Sequence, residues 1–254
     1  MITSLQNDKI KLAHALQTSA KSRRKSARIV LEGVRLIADA LAQGYAPDFI
    51  LHDADFPIAE LERLTQAPLT LLLAAPEIMR HICDTEQPQG ALGVFPMPEH
   101  MLPSALTRLL ILDGVRDPGN LGTMLRTATA AGVDGVLLSP DCVDAYNPKA
   151  LRAGMGAHFR VPLAEQAWDA IRAMCAGLTV YLADMDGDIA YDAADWTQPH
   201  ALIIGGEAHG ASTDARDLAA QRIYIPMSGA TESLNAAAAA AVLLFEGARA
   251  RRQA

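Results

Sequence analysis

The sequence is poor in the residues that build disulfide frameworks and zinc sites, and it lacks the patterns of membrane insertion. Its 254 residues include only three cysteines, none of them in C-x-x-C spacing: Cys83, Cys142 and Cys175. An odd number without that spacing favours neither a disulfide framework nor a bound metal. No run of about 18 apolar residues occurs, and the N-terminus lacks the layout of a signal peptide. We therefore expect a cytoplasmic protein with reduced thiols, no metal and no membrane contact.

Several catalytic and nucleotide-binding signatures are also missing. No G-x-x-x-x-G-K-[ST] stretch occurs, which excludes a P-loop, and "GGEAHG" at 205–210 departs from the G-x-G-x-x-G order of a dinucleotide site. A hydrolase could use Ser233, His209 and Glu207, but the sequence contains no G-x-S-x-G nucleophile elbow. A hydrolase is therefore the least favoured of the functions considered.

Positive charge is scarce overall but concentrated at the N-terminus. The formal net charge is −7, whereas residues 1–36 hold eight Lys or Arg against two acidic residues. A basic segment on an acidic protein is typical of a surface that binds a phosphate backbone, although a solvated helix end and loop would give the same pattern. The candidate RNA-binding residues are Lys9, Lys11, Arg23, Arg24, Lys25, Arg28 and Arg35.

The alternation of predicted helices and strands divides the chain into two α/β regions. Residues 1–96 form a compact α/β domain that begins with a helix over 7–18, and residues 97–107 form a proline-bearing linker. Over 108–254, short apolar strands alternate with helices, which predicts a mainly parallel sheet covered on both faces. Ligands of such sheets bind beyond the carboxyl ends of the strands. The loops after the strands are therefore the candidate site.

The first of these loops is "VRDPGNLGTMLRTA", residues 115–128. Asn120 is a favourable N-cap residue for the helix that follows, and Arg126 projects away from the buried side of that helix. The apolar residues at helical spacing predict a buried stripe, which comprises Leu121, Met124, Leu125 and Ala128.

Two later loops add further polar residues. In "IIGGEAHGAS", residues 203–212, glycines that permit close backbone approach surround Glu207. In "IPMSGATESLNAAAAAA", either Ser233 or Asn235 is predicted to cap a long helix that begins with six alanines. Glu232 belongs to the same polar cluster, which a capped helix alone would not require.

Together the three loops resemble the signature motifs of the SpoU (TrmH) family of RNA 2′-O-ribose methyltransferases. "LDGVRDPGNLGTMLRTA" is similar to the first motif, "IIGGEAHG" to the second, and "IPMSGATESLNAAAAAAVLLFE" to the third, within residues 110–250. "NPKALRAGMGAHFRVPL" resembles the segment between the first two motifs. The N-terminal stretches "ITSLQNDKIK" and "VLEGVRLIADAL" resemble the ribosomal-protein-like RNA-binding module that many members carry.

The resemblance implies a SPOUT fold with a C-terminal trefoil knot, a homodimer, and S-adenosylmethionine as the cofactor. It also implies that the alanine helix packs in the knot and at the dimer interface. The catalytic residues that it implies are Arg126, Asn120, Glu207, Ser233 and Asn235. The cofactor contacts that it implies are Gly205, Glu207, Ile225, Met227 and Leu234.

Three questions stay open on the sequence alone. Arg126 could act as a base toward the ribose 2′-hydroxyl, or it could grip the adjacent phosphate and stabilise the developing oxyanion. The N-terminal module favours large-subunit ribosomal RNA as the substrate, and transfer RNA is the alternative. A non-enzymatic RNA-binding protein is also conceivable, although it would not need the polar residues of the three loops.

Overall fold

The computed structural model describes residues 1–63, 65, 68–83, 89–207, 210–229 and 233–253. Its helices, in chain order, are α1 (Asp8–Thr18), α2 (Ala20–Ser26), α3 (Val34–Ala42), α4 (Ile58–Glu62), α5 (Pro76–Ile82), α6 (Pro118–Ala131), α7 (Pro148–Gly154), α8 (Trp168–Met174), α9 (Thr213–Leu218) and α10 (Ala236–Gln253). Its strands are β1 (Arg28–Glu32), β2 (Phe49–His52), β3 (Leu71–Leu73), β4 (Ala91–Pro96), β5 (Arg108–Asp113), β6 (Gly135–Leu138), β7 (Leu163–Glu165), β8 (Thr179–Ala183), β9 (Ile189–Ala190), β10 (His200–Gly205) and β11 (Gln221–Tyr224). Short 3-10 helices cover Ala157–Phe159 and Tyr191–Ala193.

The chain divides into two compact units. Unit 1 comprises Met1–Pro98 and Tyr146–Phe159, and unit 2 comprises Glu99–Ala145 and Arg160–Ala254. The sequence predicts one unbroken domain over 108–254, whereas the structure groups 146–159 with unit 1. The physical reason is apolar burial, because side chains of this segment complete the core of unit 1.

Unit 1 is built on a four-stranded sheet in the order β1-β4-β2-β3, in which only β2 and β3 run parallel. Side chains alternate between its two faces, as expected for strands. One face packs against α1 and α5, and the other against α3, α4 and α7. Leu151 of α7 and the nearby Phe159 are 2% and 5% exposed in the second of these cores.

Unit 2 is built on a seven-stranded sheet in the order β7-β6-β5-β10-β8-β11-β9, and all of its strand pairs are parallel. This confirms the predicted parallel sheet. One face is covered by α8 and α9 through Ile171 and Ala215. On the other face α10 packs against α6 and β10, beside Leu202. The site loops follow β5, β10 and β11, whose carboxyl ends lie at one edge of the sheet.

The alanine-rich helix α10 packs with small side chains. Ala237 and Ala240 are 5% and 0% exposed, and α10 contacts α6. The distance between two packed helices depends on the side chains between them, so alanines allow α6 and α10 to approach closely. The predicted stripe of α6 is buried as expected, with 0% exposure at Leu121, Met124, Leu125 and Ala128. Among the described residues, no helix has both the length and the apolar character that a membrane span needs.

Candidate active site

The loop after β5 enters α6 through an aspartate cap. Asp117 is the N-cap residue, its Oδ1 accepting a hydrogen bond from the Asn120 backbone N–H at 2.8 Å, and Pro118 is the first helical residue. The prediction that Asn120 caps this helix is therefore wrong. An Asp-Pro pair satisfies the N-cap and N1 preferences and sets the helix start three residues earlier. The Asn120 side chain is consequently available for contacts outside the helix.

Asn120 joins the three loops through its carboxamide. Its Nδ2 donates to Glu207 Oε1 at 2.7 Å, and its Oδ1 accepts from Asn235 Nδ2 at 3.0 Å. A carboxylate only accepts hydrogen bonds when ionised, so the NH₂ group of Asn120 must face Glu207. The three residues, which we call the polar chain, link loops that are 87 and 115 residues apart in sequence.

Glu207 is exposed and is held at two points. Besides Asn120, its Oε2 accepts a hydrogen bond from the Arg116 backbone N–H at 3.3 Å. Sequence reasoning missed this contact, because a backbone donor carries no residue signature. Both carboxylate oxygens are thus engaged by donors from the loop after β5.

Two glycines before Glu207 allow its loop to lie against neighbouring backbone. A Cβ on Gly206 would sit 2.4 Å from the carbonyl oxygen of Gly114, and a Cβ on Gly205 would sit 2.6 Å from the backbone nitrogen of Ala211. Any side chain at either position would force the backbone apart. The glycine pair is therefore required by close packing rather than by a phosphate-binding turn.

Asn235 uses its two amide atoms for different contacts. Its Oδ1 accepts from the backbone N–H groups of Ala237 and Ala238 at 2.9 and 3.3 Å, so it caps α10, as one of the two predicted alternatives. Its Nδ2 is left for Asn120. Glu232 and His209, which the sequence placed in the same loops, lie outside the described residues.

Apolar side chains remain accessible in the loop that leads into α10. Met227 and Leu234 are each 39% exposed, and Ile225 after β11 is half-buried. Large apolar groups left open beside convergent polar groups are typical of ligand sites. Ile225, Met227 and Leu234 are three of the residues that the family resemblance predicts as cofactor contacts.

Two of the predicted catalytic side chains do not join the polar chain. Arg126 is exposed on α6, and Ser233 is exposed two residues before the cap of α10. Within the described part of the chain, neither side chain forms a hydrogen bond or an ion pair. Both therefore remain available for a ligand.

Within the described residues, the three cysteines have raised thiol pKa values and the acidic groups form no metal-binding cluster. Burial raises the pKa of Cys83 to about 12 and that of Cys175 to about 11, and it also raises the pKa of Cys142. Such thiols are weak nucleophiles because little thiolate forms at neutral pH. No group of three or more His, Cys, Asp or Glu residues in the described ranges is arranged to hold a metal ion.

The candidate RNA-binding residues of unit 1 separate into different roles. Arg23 is only 3% exposed, and its Nη1 donates to the carbonyl oxygen of Leu16 at 2.5 Å, so it stabilises the carboxyl end of α1. We therefore remove Arg23 from the set, because a buried guanidinium cannot contact a phosphate backbone. Arg28 pairs with Asp48 at 2.5 Å.

The exposed cations of unit 1 also lie on different faces. Lys11, Arg24 and Lys25 are exposed on α1 and α2, and Lys9 lies over the ring of Phe49 at 4.5 Å. Arg35 is exposed on α3, which covers the opposite face of the sheet from α1. The predicted residues therefore do not form one continuous surface.

Two protein-family models match the chain, one over its C-terminal part and one over its N-terminal part. A model described as the SpoU rRNA Methylase family matches residues 107–245. A model described as an MRM3-like substrate binding domain matches residues 7–93.

Similar full-length proteins cover both regions. The chain is 35% identical, over 92% of its length and 71% of the relative, to the human protein named rRNA methyltransferase 3, mitochondrial. It is 34% identical, over 96% of its length and 97% of the relative, to the Bacillus subtilis protein named 23S rRNA (guanosine(2553)-2'-O)-methyltransferase RlmP. The SpoU methyltransferase AviRb from Streptomyces viridochromogenes, solved in complex with AdoMet, matches with a TM-score of 0.86 at 28% identity, covering 97% of this chain and 99% of that chain.

Proposed function

Because this chain belongs to the SpoU rRNA Methylase family, we propose that it transfers a methyl group from S-adenosylmethionine to a ribose 2′-hydroxyl of large-subunit ribosomal RNA. The observation that carries the proposal is the polar chain Glu207–Asn120–Asn235, which joins the three motif loops at one edge of the parallel sheet. A non-enzymatic RNA-binding protein would not need this arrangement. Transfer RNA is less favoured, since the similar proteins described above are named for ribosomal RNA.

The residues of unit 2 fit the proposed cofactor. Backbone groups of Gly205 and the accessible side chains of Ile225, Met227 and Leu234 would hold it, with Glu207 at the edge of the site. When bound, S-adenosylmethionine supplies a methyl group on a positively charged sulfur. The task left to the protein is to align a weakly nucleophilic hydroxyl and to stabilise the charge that develops on it.

The polar chain and the exposed side chains divide that task. Asn120 forms hydrogen bonds with both Glu207 and Asn235, and these bonds fix the positions of the three loops relative to one another. Arg126 grips the phosphate beside the reacting ribose and stabilises the developing oxyanion, because arginine side chains stay protonated in proteins and match phosphate in bidentate geometry. Ser233 offers a hydroxyl that contacts the same ribose. In this proposal, Arg126 binds the phosphate and the developing oxyanion and does not act as a base.

The proposal includes the trefoil knot and the homodimer of this fold. The exposed face of α10 supports the dimer, because Val242 and Phe245 are 37% and 47% exposed and Ala238 lies on the same side one turn before Val242. An apolar helical stripe left open in one protomer is typical of a surface that a second copy covers. We also propose that unit 1 binds the RNA through Lys11, Arg24 and Lys25, and that the protein is cytoplasmic.

A labelling experiment tests the activity. The purified protein is incubated with radiolabelled S-adenosylmethionine and total RNA, free or in ribosomal particles, from a cell that lacks the gene. We expect label in the large ribosomal RNA, at a linkage that resists alkali because its 2′-oxygen is methylated. Label in transfer RNA would contradict the proposed substrate. No label in either fraction, despite cofactor binding, would contradict the proposed activity.

A further inference from the structure

Unit 2 presents little positive charge to an RNA strand. Its sequence holds ten arginines and no lysine against eighteen Asp and Glu residues. Four arginines form ion pairs with carboxylates: Arg108, Arg216, Arg222 and Arg249. Arg251 donates to the Ala131 carbonyl oxygen, and Arg160 also has a partner. Most of the cationic side chains are therefore engaged within the protein.

The remaining arginines are not evenly distributed. Within the described residues, the side chains of Arg116, Arg126, Arg172 and Arg252 form no hydrogen bond or ion pair, and all four residues are exposed. Arg116 and Arg126 lie in the same loop-and-helix segment, on either side of Asn120 in sequence. Arg172 lies near the end of α8, which returns the chain to the amino edge of the sheet. Arg252 lies near the end of α10.

The backbone that carries Arg116 is fixed at three consecutive residues. The Gly114 N–H donates to Ser139 Oγ at 3.0 Å, and the Val115 carbonyl accepts from the Val143 N–H at 2.9 Å. The Arg116 N–H then donates to Glu207 Oε2 at 3.3 Å, while the side chain is exposed. The Arg116 side chain is therefore exposed on a backbone that is held by three hydrogen bonds. One of these bonds leads directly to Glu207 of the polar chain.

We propose that Arg116 is a positioning phosphate contact, which holds the RNA backbone beside the nucleotide to be methylated. This inference rests on the proposed function. A guanidinium on a fixed backbone loses less conformational freedom when it forms a bidentate contact with phosphate. On an acidic unit, such a contact also offsets the repulsion of the approaching strand. Arg116 therefore sets the affinity and the position of the RNA, whereas Arg126 serves the reaction.

The salt dependence of RNA binding separates this role from a structural one. Binding of an unmodified large-subunit rRNA transcript is measured between about 50 and 200 mM salt. Each lost phosphate contact lowers the slope of log affinity against log salt by about 0.7 for single-stranded RNA. We expect Arg116→Ala to lower the slope by that amount and to raise Kd and KM for RNA about tenfold. We expect Arg116→Lys to keep the slope and to recover part of the affinity, because its charge remains without the fork.

Further readouts and a control complete the test. Arg172→Ala removes another exposed arginine, which lies on α8 and outside the site loops, and we expect the salt slope, Kd and KM of the wild type. For Arg116→Ala, we also expect kcat to stay within about twofold of the wild-type value, because a contact that binds substrate and transition state equally affects KM and not kcat. The affinity for S-adenosylmethionine and the thermal unfolding temperature should be unchanged.

The outcomes distinguish the inference from the proposed function. An Arg116→Ala protein that matches Arg172→Ala in salt slope and Kd would overturn the inference, and so would a selective loss of cofactor affinity. A wild-type protein that binds RNA without transferring methyl groups would contradict the proposed function, while the slopes of the two variants would still decide the role of Arg116. A wild-type protein that binds no RNA would contradict both.

Discussion

The Nδ2 of Asn120 lies 2.7 Å from Oε1 of Glu207, and this side-chain contact helps to connect the first and second site loops. The opposite end of the same carboxamide connects Asn120 to the third loop through Asn235. One neutral side chain therefore serves as donor on one side and acceptor on the other. Replacing it by a group that only accepts should break one of the two connections.

Asn120→Asp is expected to remove most activity at neutral pH. The introduced carboxylate would face Glu207 at hydrogen-bonding distance, and two such carboxylates cannot both ionise without repulsion. The pKa of the introduced carboxyl group should therefore be raised, and its protonated form can donate to Glu207 as the amide does. Methyl transfer should consequently recover in part as the pH falls from about 8 to 5. Asn120→Ala serves as the control. Because it introduces no titrating group, the ratio of its methyl-transfer rate to that of the wild type should not vary with pH.

Asp117→Ala should destabilise the start of α6. Asp117 accepts the Asn120 N–H at 2.8 Å, and loss of an N-cap costs about 1 kcal/mol of unfolding free energy. Urea denaturation measures the change as a lower midpoint with an unchanged slope. Asp117→Asn keeps a good capping side chain and should lie close to wild type. Equal destabilisation by both variants would contradict a capping role.

Arg126→Ala should lower kcat strongly and leave cofactor binding intact. The side chain is exposed and forms no hydrogen bond or ion pair with the described residues, so its removal should not disturb the fold. A loss of about a hundredfold or more is expected, since electrostatic stabilisation of a developing oxyanion contributes on that scale. Single-turnover transfer and calorimetric titration with S-adenosylmethionine measure the two properties separately. A normal transfer rate would show that Arg126 is not catalytic.

Arg23 and Lys25 should respond in opposite ways although they are neighbours in the basic segment. Arg23→Ala removes the buried donor at the end of α1 and should lower the unfolding free energy by about 2 kcal/mol, the scale of a charge-assisted hydrogen bond. Lys25→Ala changes an exposed side chain and should weaken RNA binding without loss of stability. Thermal unfolding and RNA titration on both variants test this. Similar effects of the two changes on stability would argue against the structural role of Arg23.

Phe245→Glu should dissociate the proposed homodimer. A charge on the exposed stripe of α10 would be buried without a partner if a second copy covers that stripe. Light scattering should then give the mass of one chain, compared with two for wild type. Ala173→Glu places the same charge on α8, on the opposite face of the sheet, and should leave the mass unchanged. A monomeric wild type would remove the basis for the dimer.

Much of the fold follows from local pattern. The helix predicted over 7–18 is observed as α1, and the apolar segments of 108–254 form the predicted parallel sheet. The sequence pattern predicts no separate helix in the basic segment that follows, and the structure forms α2 there. The two-residue strand β9 carries too few residues for any periodicity, so it could not be predicted.

The candidate site was less predictable than the elements that carry it. Residue types and motif resemblance were enough to select Asn120, Glu207 and Asn235, because polar residues after buried strands collect at one sheet edge. They were not enough to assign the capping role, which belongs to Asp117, or the backbone contact from Arg116 to Glu207. Hydrogen-bond partners of a loop depend on which loops meet.

Local patterns in the sequence are enough to predict the α/β class, the parallel sheet, the buried stripe of α6 and the family motifs, since periodicity and motif spacing are properties of neighbouring residues. Three features emerge only from the folded chain: Asn120 meets residues 87 and 115 positions away, Arg23 turns inward to α1, and 146–159 packs with unit 1. Each of these outcomes depends on competition for burial and hydrogen-bond partners between distant segments. Such competition is settled only when the chain is folded.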